Sequence, residues 1–137
     1  MVRPIITDIF SLSRKALPAT REDLNTARDL ADTLLANSDR CVGMAANMIG
    51  VNKRIIVISL GGFPLVMLNP VITKGSRDTY ETEEGCLSLS GVRKTLRHET
   101  IEVSYQDMSL QTHCQTYTGF TAQIIQHEID HCEGILI

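Results

Sequence analysis

Two histidines lie four residues apart near the end of the chain, within residues 126–137 (QHEIDHCEGILI). Residues four apart on an α-helix share one face, so His127 and His131 can bind the same metal ion. Glu128 follows the first histidine and completes the pattern H-E-x-x-H, in which the glutamate is typically the base of a metal-dependent hydrolase. Two histidines rarely complete a metal site, and a third ligand is therefore expected elsewhere in the chain.

The third ligand is expected upstream of the histidines. Zinc proteases with the longer pattern H-E-x-x-H-x-x-G place another histidine three residues after the glycine, but Ile137 stands there after Gly134. Cys132 and Glu133 lie on the following turn of the same helix, where folding back to the ion is awkward. The upstream side chains able to bind a metal are Cys41, Cys86, His98, His113 and Cys114.

Cys86 has the most favourable setting of these side chains. Gly85 precedes it in the segment EEGCLSLSG and lets the backbone approach an ion closely. A cysteine thiolate is also a strong ligand for soft and borderline metal ions. The spacing alone leaves the choice open, because Cys86 could be an ordinary buried thiol with His98 or Cys114 as the ligand.

The composition predicts one globular domain over residues 1–137, without an electrostatic footprint for nucleic acid or anionic membranes. The hydrophobic content of 43% suffices for a core, and the net charge of −3 comes with no basic run. Proline and charged residues interrupt each apolar stretch in residues 1–20, so we expect neither a signal peptide nor a membrane-spanning helix. The four cysteines are expected to be thiols or metal ligands of a cytoplasmic protein.

An amphipathic helix is predicted near the N-terminus. Thr20 precedes the segment REDLNTARDLADTLLANSD, and Asp23 stands at the capping-box position. The apolar residues of this segment recur with a helical period at Leu24, Ala27, Leu30, Ala31, Leu34 and Leu35. Two buried strands are predicted next, at residues 54–60 and 64–72, separated by a turn at Gly61 and Gly62.

The second half of the chain alternates as a strand and then becomes helical. Ile101, Val103 and Tyr105 predict one buried strand face, and residues 110–118 predict the returning strand. After Gly119, one face of a helix is formed by Phe120, Ile124, His127 and His131. The predicted fold class is α+β: an antiparallel sheet around a C-terminal metal-binding helix, with an N-terminal amphipathic helix.

Three segments of the sequence resemble the three motifs of the peptide deformylases. They are VGMAANMIG at residues 42–50, EGCLS at residues 84–88 and QHEIDH at residues 126–131. Peptide deformylases remove the formyl group from the N-terminal methionine of newly made peptides. The resemblance implies that this chain hydrolyses N-formylmethionyl peptides or nascent chains, and we expect it to bind neither nucleic acid nor a membrane.

The resemblance also assigns the site residues. It implies that Cys86, His127 and His131 hold one divalent metal ion, typically Fe²⁺, with Zn²⁺, Ni²⁺ or Co²⁺ as substitutes. Glu128 would act as general base and then as acid, and the backbone N–H of Leu87 would hold the formyl oxygen. The groups implied to support this site are Glu84, Arg97, Gln126 and Asp130. The implied substrate contacts are Gly43, Met44, Arg93, Phe120 and Ile124.

Several positions depart from the family pattern. Met48 stands where the family has a glutamine that donates a hydrogen bond to the developing oxyanion, and a thioether cannot donate. Asn47 is a candidate replacement donor. Cys41 stands in place of a usual glycine, Gln123 in place of an apolar pocket residue, and Ser90 in place of a common proline.

These departures leave two functions open. One is an active deformylase, and the other is a deformylase-like metal-binding protein with lost or altered activity that acts on another small amide or binds peptide N-termini. An ordinary zinc protease is disfavoured, because the chain is short for a second lobe that would bind a mid-chain peptide. Helical periodicity alone also allows Phe120 and Ile124, like Met44 further upstream, to be core residues.

Overall fold

The computed structural model describes residues Met1–Ile137. It contains three α-helices: α1 (Ile9–Leu12), α2 (Leu24–Ala36) and α3 (Gly119–Cys132). Its seven strands are β1 (Gly43–Ala45), β2 (Ile55–Leu60), β3 (Phe63–Gly75), β4 (Thr79–Cys86), β5 (Leu89–His98), β6 (Thr100–Gln106) and β7 (Thr112–Thr118). Five strands form an antiparallel sheet in the order β1-β2-β3-β6-β7, and β4 pairs with β5 in a separate hairpin. The predicted α+β class is confirmed.

Helix α2 begins as the sequence predicts. The N–H of Thr20 donates to Asp23 Oδ2 at 2.7 Å, and a 3₁₀ turn (Arg21–Asp23) then leads into the helix. This capping box satisfies backbone donors that the first helical turn leaves unpaired. The buried face of α2 consists of Ala27, Leu30, Thr33 and Leu34. Neither α2 nor any other helix is long and apolar enough to cross a membrane.

Strand β2 lies at the centre of the core. Successive side chains of a strand point to opposite faces. Ile55 and Val57 accordingly belong to the apolar cluster that contains α2, and Ile56 and Ile58 belong to the cluster that contains Ile125 of α3. All four side chains are fully buried. The sheet is therefore covered by α2 on one face and by α3 on the other, and this packing fixes α3 in place.

The predicted strand pairs are present with shifted ends. Gly61 and Gly62 take φ values of 55° and 90° in the β2–β3 turn, and β3 continues beyond the predicted end to Gly75. The inward face of β6 is buried as expected, with Ile101, Val103 and Tyr105. Strand β7 begins at Thr112 and not at residue 110, because Leu110 takes a φ of 63° in the preceding turn.

The β4–β5 hairpin was missed by the sequence prediction. The residues of β4 alternate between exposed and partly buried positions, and Glu84 is its only buried residue. Because this hairpin has no continuous apolar face, its sequence lacks the alternation that indicates a half-buried strand. The hairpin nevertheless carries Cys86 at the end of β4.

Candidate active site

The three predicted metal ligands come together at one point of the structure. Cys86 ends β4, and His127 and His131 lie on successive turns of α3. The Sγ atom of Cys86 and one ring nitrogen of each histidine all lie within 4.8 Å of one another. His98, His113, Cys41 and Cys114 take no part in this cluster. Of the upstream candidates, Cys86 is the one that the fold brings to the histidines.

The donor set fits a divalent transition-metal ion. A thiolate and two imidazoles suit Fe²⁺, Zn²⁺, Ni²⁺ and Co²⁺. The Nε2 atoms of His127 and His131 face each other at 3.1 Å, and Nδ1 of the buried His131 has no hydrogen-bond partner. Two facing ring nitrogens beside the Cys86 thiol are the arrangement expected of ligands that share an ion.

Burial and neighbouring charges shift the pKa values of the two histidines in opposite directions. Burial lowers the pKa of His131 to about 3, and repulsion from His127 adds to that effect. Burial also lowers the pKa of His127, but the negative charge of Glu128 raises it. Hydrogen bonds to Cys86 and Glu84 act with that charge, and together they raise the pKa of His127 to about 10. The cluster therefore stabilises one positive charge at this point, as a bound cation would supply.

Glu84 connects the metal-ligand cluster to a buried arginine. Its carboxylate accepts hydrogen bonds from His127 Nδ1 at 2.8 Å and from Arg97 Nε and Nη2 at 2.9 and 2.6 Å. Burial raises the pKa of Glu84, but the hydrogen bonds from His127 and Arg97 outweigh it and hold the pKa at about 2. Glu84 is therefore a charged carboxylate that orients the His127 ring and leaves Nε2 free.

Asp130 and Gln126 support this arrangement from α3. Asp130 Oδ2 accepts from Arg97 Nη1 at 2.6 Å, so Arg97 joins α3 to β4. Gln126 pairs with the backbone of His98 at the end of β5: its Oε1 accepts at 2.8 Å and its Nε2 donates at 3.0 Å. Asp130 and Gln126 thus hold α3 against the hairpin, and neither makes a hydrogen bond to His127 or His131.

Glu128 lies beside the cluster and has a free oxygen. Its side chain lines a cavity, and Oε1 is buried without a hydrogen-bond partner. Burial raises the pKa of Glu128 to about 7, against the opposing charge of His127. A Cβ placed on Gly43 would lie 2.9 Å from Glu128 Oε2 and 2.7 Å from Ile124 Cγ2. Only glycine at position 43 allows β1 and α3 to approach this closely.

The cavity has a volume of about 470 Å³ and opens between β1, the β4–β5 turn and α3. Three of the predicted substrate contacts, Gly43, Phe120 and Ile124, line this cavity. Leu87, Cys86 and His127 line it as well, whereas His131 does not. Strand β1 pairs only with β2, so its other edge is unpaired. An unpaired strand edge beside a cavity can pair with the backbone of an extended peptide.

Two predicted substrate contacts lie elsewhere in the structure. Met44 is fully buried in the cluster packed on α2, because it is next to Gly43 on β1 and therefore faces the opposite side of the strand. Arg93 lines a second cavity of about 360 Å³ with Thr7 and Ile9, and its Nη1 donates to the carbonyl oxygen of Ser90 at 3.3 Å. Neither side chain lines the cavity that contains Glu128.

The side chains of residues 47 and 48 point in different directions. Met48 is buried, lines the cavity, and accepts the N–H of Ala45 at its Sδ at 3.5 Å. The Nδ2 of Asn47 donates to the carbonyl oxygen of His131 at 3.0 Å, and Asn47 does not line the cavity. The expectation that Asn47 replaces the missing oxyanion donor is therefore wrong, because its amide is engaged at the end of α3.

Leu87 offers a backbone donor to the cavity. It lies in the turn between β4 and β5, directly after Cys86, and its N–H has no acceptor within the protein. Since a free N–H next to a metal ligand can hold a developing oxyanion, the geometry is compatible with the role predicted for Leu87.

Two cavity features were not anticipated from the sequence. Tyr80 Oη donates to Gln123 Oε1 at 3.1 Å, but Tyr80 lies on β4, for which the sequence carried no signal. Cys41 Sγ donates to the carbonyl oxygen of Gly43 at 2.8 Å, and burial raises the pKa of its thiol to about 12, so Cys41 lines the cavity as a protonated thiol.

The fold and this site together define a class of protein. A Cys–His–His cluster that fits a metal, a glutamate with a free oxygen and a free backbone N–H lie beside one cavity. These are the parts of a metal-dependent hydrolase that acts on an acyl carbon.

Comparison with known proteins gives the family. The polypeptide deformylase model matches residues 5–137. The peptide deformylase of Clostridium beijerinckii is 56% identical over 137 residues, the full length of both chains. The peptide deformylase of a Picosynechococcus species is 36% identical over 129 residues, which cover 89% of this chain and 68% of that protein. The chain belongs to the polypeptide deformylase family.

Solved structures of deformylases share the fold. The Thermotoga maritima peptide deformylase matches with a TM-score of 0.88 at 29% identity, over 99% of this chain and 95% of that one. The class I type b enzyme of Acinetobacter baumannii, with Met-Ala-Ser bound, matches with a TM-score of 0.87 at 30% identity, over 99% of this chain and 97% of that one. The relation therefore extends over the whole sheet and α3.

Proposed function

We propose that this chain hydrolyses the N-formyl group of N-formylmethionyl peptides, as the single domain of residues 1–137. One divalent metal ion, Fe²⁺ in the native enzyme, is held by Cys86, His127 and His131, and Zn²⁺, Ni²⁺ or Co²⁺ can replace it. The observation that carries the proposal is the approach of these three donor groups to within 4.8 Å, beside a cavity that Cys86, His127 and Glu128 line.

The ion, when bound, polarises the formyl oxygen and increases the acidity of water in the site. Glu128 accepts a proton from the attacking water through its unpaired Oε1 and then donates it to the departing amine nitrogen. Glu84 keeps the His127 ring in one orientation and is itself held by two hydrogen bonds from Arg97. The chain thus contributes a proton carrier and a preorganised ligand set.

The formyl oxygen is stabilised by one backbone donor, the N–H of Leu87. Met48 lines the cavity but its sulfur only accepts, so it adds no second donor. Removing one oxyanion donor typically lowers turnover ~10²–10³-fold. We therefore expect an enzyme that is active but slow in the chemical step.

The peptide lies along the unpaired edge of β1. Gly43 brings its backbone close to the cavity, and Phe120 and Ile124 give apolar walls to the first side chain. The match to the Acinetobacter baumannii enzyme with bound Met-Ala-Ser supports a peptide that begins with methionine. The proposed partners are N-formylmethionyl peptides and nascent chains, and the proposed location is the cytoplasm, where those chains are made.

The direct test is an anaerobic assay of formate release from formyl-Met-Ala-Ser after loading the protein with Fe²⁺ or Ni²⁺. Oxygen is excluded because a ferrous ion with a thiolate ligand oxidises easily. Formate release that requires the metal is the expected result. Fully metal-loaded protein that releases no formate would overturn the proposal.

Met48 favours a second candidate function. Because its side chain carries no donor, the cavity could hold a peptide N-terminus without efficient hydrolysis. That binding function predicts that metal-loaded protein binds Met-Ala-Ser in calorimetry while formate release stays at the level of free metal ion. The same two measurements therefore separate the two functions.

A further inference from the structure

Gln123 is a polar residue in the wall of the cavity. It lies on the same face of α3 as Phe120, Ile124 and His127, at the spacing of successive helical turns. Gln123 precedes His127 by one turn, which is ~6 Å along the helix axis. The side chain of a substrate whose formyl group lies at the metal-ligand cluster can therefore reach Gln123.

Tyr80 fixes the orientation of the Gln123 amide. Tyr80 Oη donates to Gln123 Oε1 at 3.1 Å, so the carbonyl half of the amide is engaged. Burial is the main reason why the pKa of Tyr80 is raised. The phenol therefore stays protonated and can donate. The Nε2 of Gln123 has no acceptor within the protein. The amide thus presents a free N–H donor to the cavity.

Two neighbours of Gln123 on α3 give the cavity an apolar wall. Ile124 is buried, and Phe120 lies at the rim of the cavity with an exposed ring. An unbranched aliphatic stem can pack on these two side chains while its distal atoms face Gln123. This combination suits a side chain that is apolar near the backbone and carries a hydrogen-bond acceptor further out.

We propose that Gln123, positioned by Tyr80, makes this cavity a site for N-formyl peptides whose first side chain carries an acceptor at the δ position, and specifically for formylmethionine sulfoxide. A sulfoxide oxygen is a strong acceptor, whereas a thioether sulfur is a weak one. An apolar wall leaves the buried sulfoxide oxygen unpaired, and the Gln123 N–H pairs with it. The inference rests on the proposed deformylase function and adds its side-chain specificity.

The experiment compares kcat/KM of the metal-loaded full chain for three peptides. They are formyl-Met-Ala-Ser, its sulfoxide and formyl-norleucyl-Ala-Ser, in which no acceptor is present. For the wild-type chain we expect the sulfoxide to be hydrolysed within ~10-fold of norleucine, since one paired acceptor offsets its desolvation. The quantity to follow is the kcat/KM for the sulfoxide peptide divided by the kcat/KM for the norleucine peptide, because losses common to both peptides cancel in this ratio.

Substitutions at Gln123 test the donor. Gln123→Leu should lower the sulfoxide-to-norleucine ratio ~10-fold or more, because the oxygen is then buried without a partner. Gln123→Glu keeps the shape but presents only acceptors, and it should lower the ratio at least as far. Two variants of different polarity keep the test valid if either one folds poorly.

Tyr80 is a positioning residue, and it has its own readout. Tyr80→Phe frees the Gln123 amide to rotate and should lower the ratio ~3-fold through KM and not kcat, since the lost orientation affects ground-state binding. The matched control is Gln115→Leu on β7. Gln115 also accepts from a tyrosine, Tyr117, at 3.0 Å, but it is exposed and outside the cavity. This control should leave the ratio at the wild-type value.

Equilibrium binding gives a readout that does not depend on turnover. Met-Ala-Ser sulfoxide should bind the wild-type chain within ~10-fold of Met-Ala-Ser, and Gln123→Leu should weaken only the sulfoxide, again ~10-fold. An unchanged ratio in both Gln123 variants would overturn the inference while leaving the deformylase function intact. A wild-type chain that hydrolyses none of the three peptides would instead overturn the proposed function, and the inference with it.

Discussion

Nδ1 of His127 lies 2.8 Å from Oε1 of Glu84, and this contact joins the metal-ligand cluster to the β4–β5 hairpin. Both side chains are buried, and the same carboxylate accepts two hydrogen bonds from Arg97. A charged carboxylate at Nδ1 leaves the Nε2 atom of the ring free and makes it a stronger ligand. The position of His127 thus depends on a strand that lies far from it in the sequence.

Glu84→Ala removes this support. We expect metal affinity to fall ~10–100-fold, the usual effect of losing a carboxylate behind a ligating histidine. The free energy of unfolding of the metal-free protein should fall by ~1.5–3 kcal/mol, because Arg97 loses two charged hydrogen bonds to Glu84 and keeps only the one to Asp130. Metal competition titrations and urea denaturation measure the two effects. Glu81→Ala on the same strand is the control: this exposed residue approaches Lys94 only at 4.0 Å, and both quantities should stay near wild type.

Cys86→Ala and His131→Ala test the ligand set. Each substitution should lower the metal content from one ion per chain to well below it and should reduce the melting temperature of the metal-loaded protein, because metal binding and folding are coupled. Elemental analysis and thermal denaturation measure these effects. Cys114→Ala is the matched control, since Cys114 is an exposed thiol outside the cluster. Full metal occupancy in Cys86→Ala would falsify the assignment of Cys86 as a ligand.

Glu128→Gln tests the proton carrier. The substitution keeps the volume of the side chain but removes its basicity, so kcat should fall at least ~10²-fold. The metal content should stay at the wild-type level, because Glu128 is proposed as a base and not as a ligand. Formate release and elemental analysis on the same preparation check both statements. Turnover close to wild type would remove Glu128 from the mechanism, and loss of metal would show that it helps to hold the ion.

Gly43→Ala tests the close approach of β1 to α3. The added Cβ would lie 2.7 Å from Ile124 Cγ2 and 2.9 Å from Glu128 Oε2, so the two elements must separate or Glu128 must move. We expect kcat to fall ~10-fold or more, since small displacements of a catalytic group are costly. Gly85→Ala is a comparison within the same cavity wall and not a neutral control: its Cβ would come no closer than 3.6 Å to another atom, so it adds a methyl group without a clash. Equal losses in the two variants would argue against a steric cause.

Met48→Gln tests the missing oxyanion donor. The glutamine side chain is of similar length and carries two N–H donors, so a hydrogen bond made mainly in the transition state should raise kcat ~10-fold. A restored donor without further support should recover only part of the ~2.7–4 kcal/mol that such groups supply. Met48→Leu, which fills the same buried site without a donor, should show no increase. If kcat is the same in both variants, the formyl oxygen does not lie near position 48.

The sequence alone determined those features that depend on neighbours along the chain. The spacing of His127 and His131 and the identity of Glu128 place these groups together on any helix, whatever packs around it. The capping box at Thr20 and the alternation in β6 are equally local, and both are present in the structure. Local hydrogen bonds and side-chain periodicity depend on residues that are close together in the sequence, and for this reason they can be predicted from it.

Tertiary structure decided which distant side chains meet and which way each one faces. Cys86 reaches the histidines through a hairpin with no apolar face, so its spacing alone left five candidates open, although the family resemblance assigned it. The fold shows that Cys86 is the candidate that meets the histidines. Gly43 lines the cavity while the adjacent Met44 is buried in the core, because neighbouring residues of a strand face opposite sides and the sheet register chooses between them. The Nδ2 of Asn47 donates to the carbonyl oxygen of His131, a group that only the packing of α3 brings near. Such contacts depend on register and packing across the whole sheet, which no short window of sequence contains.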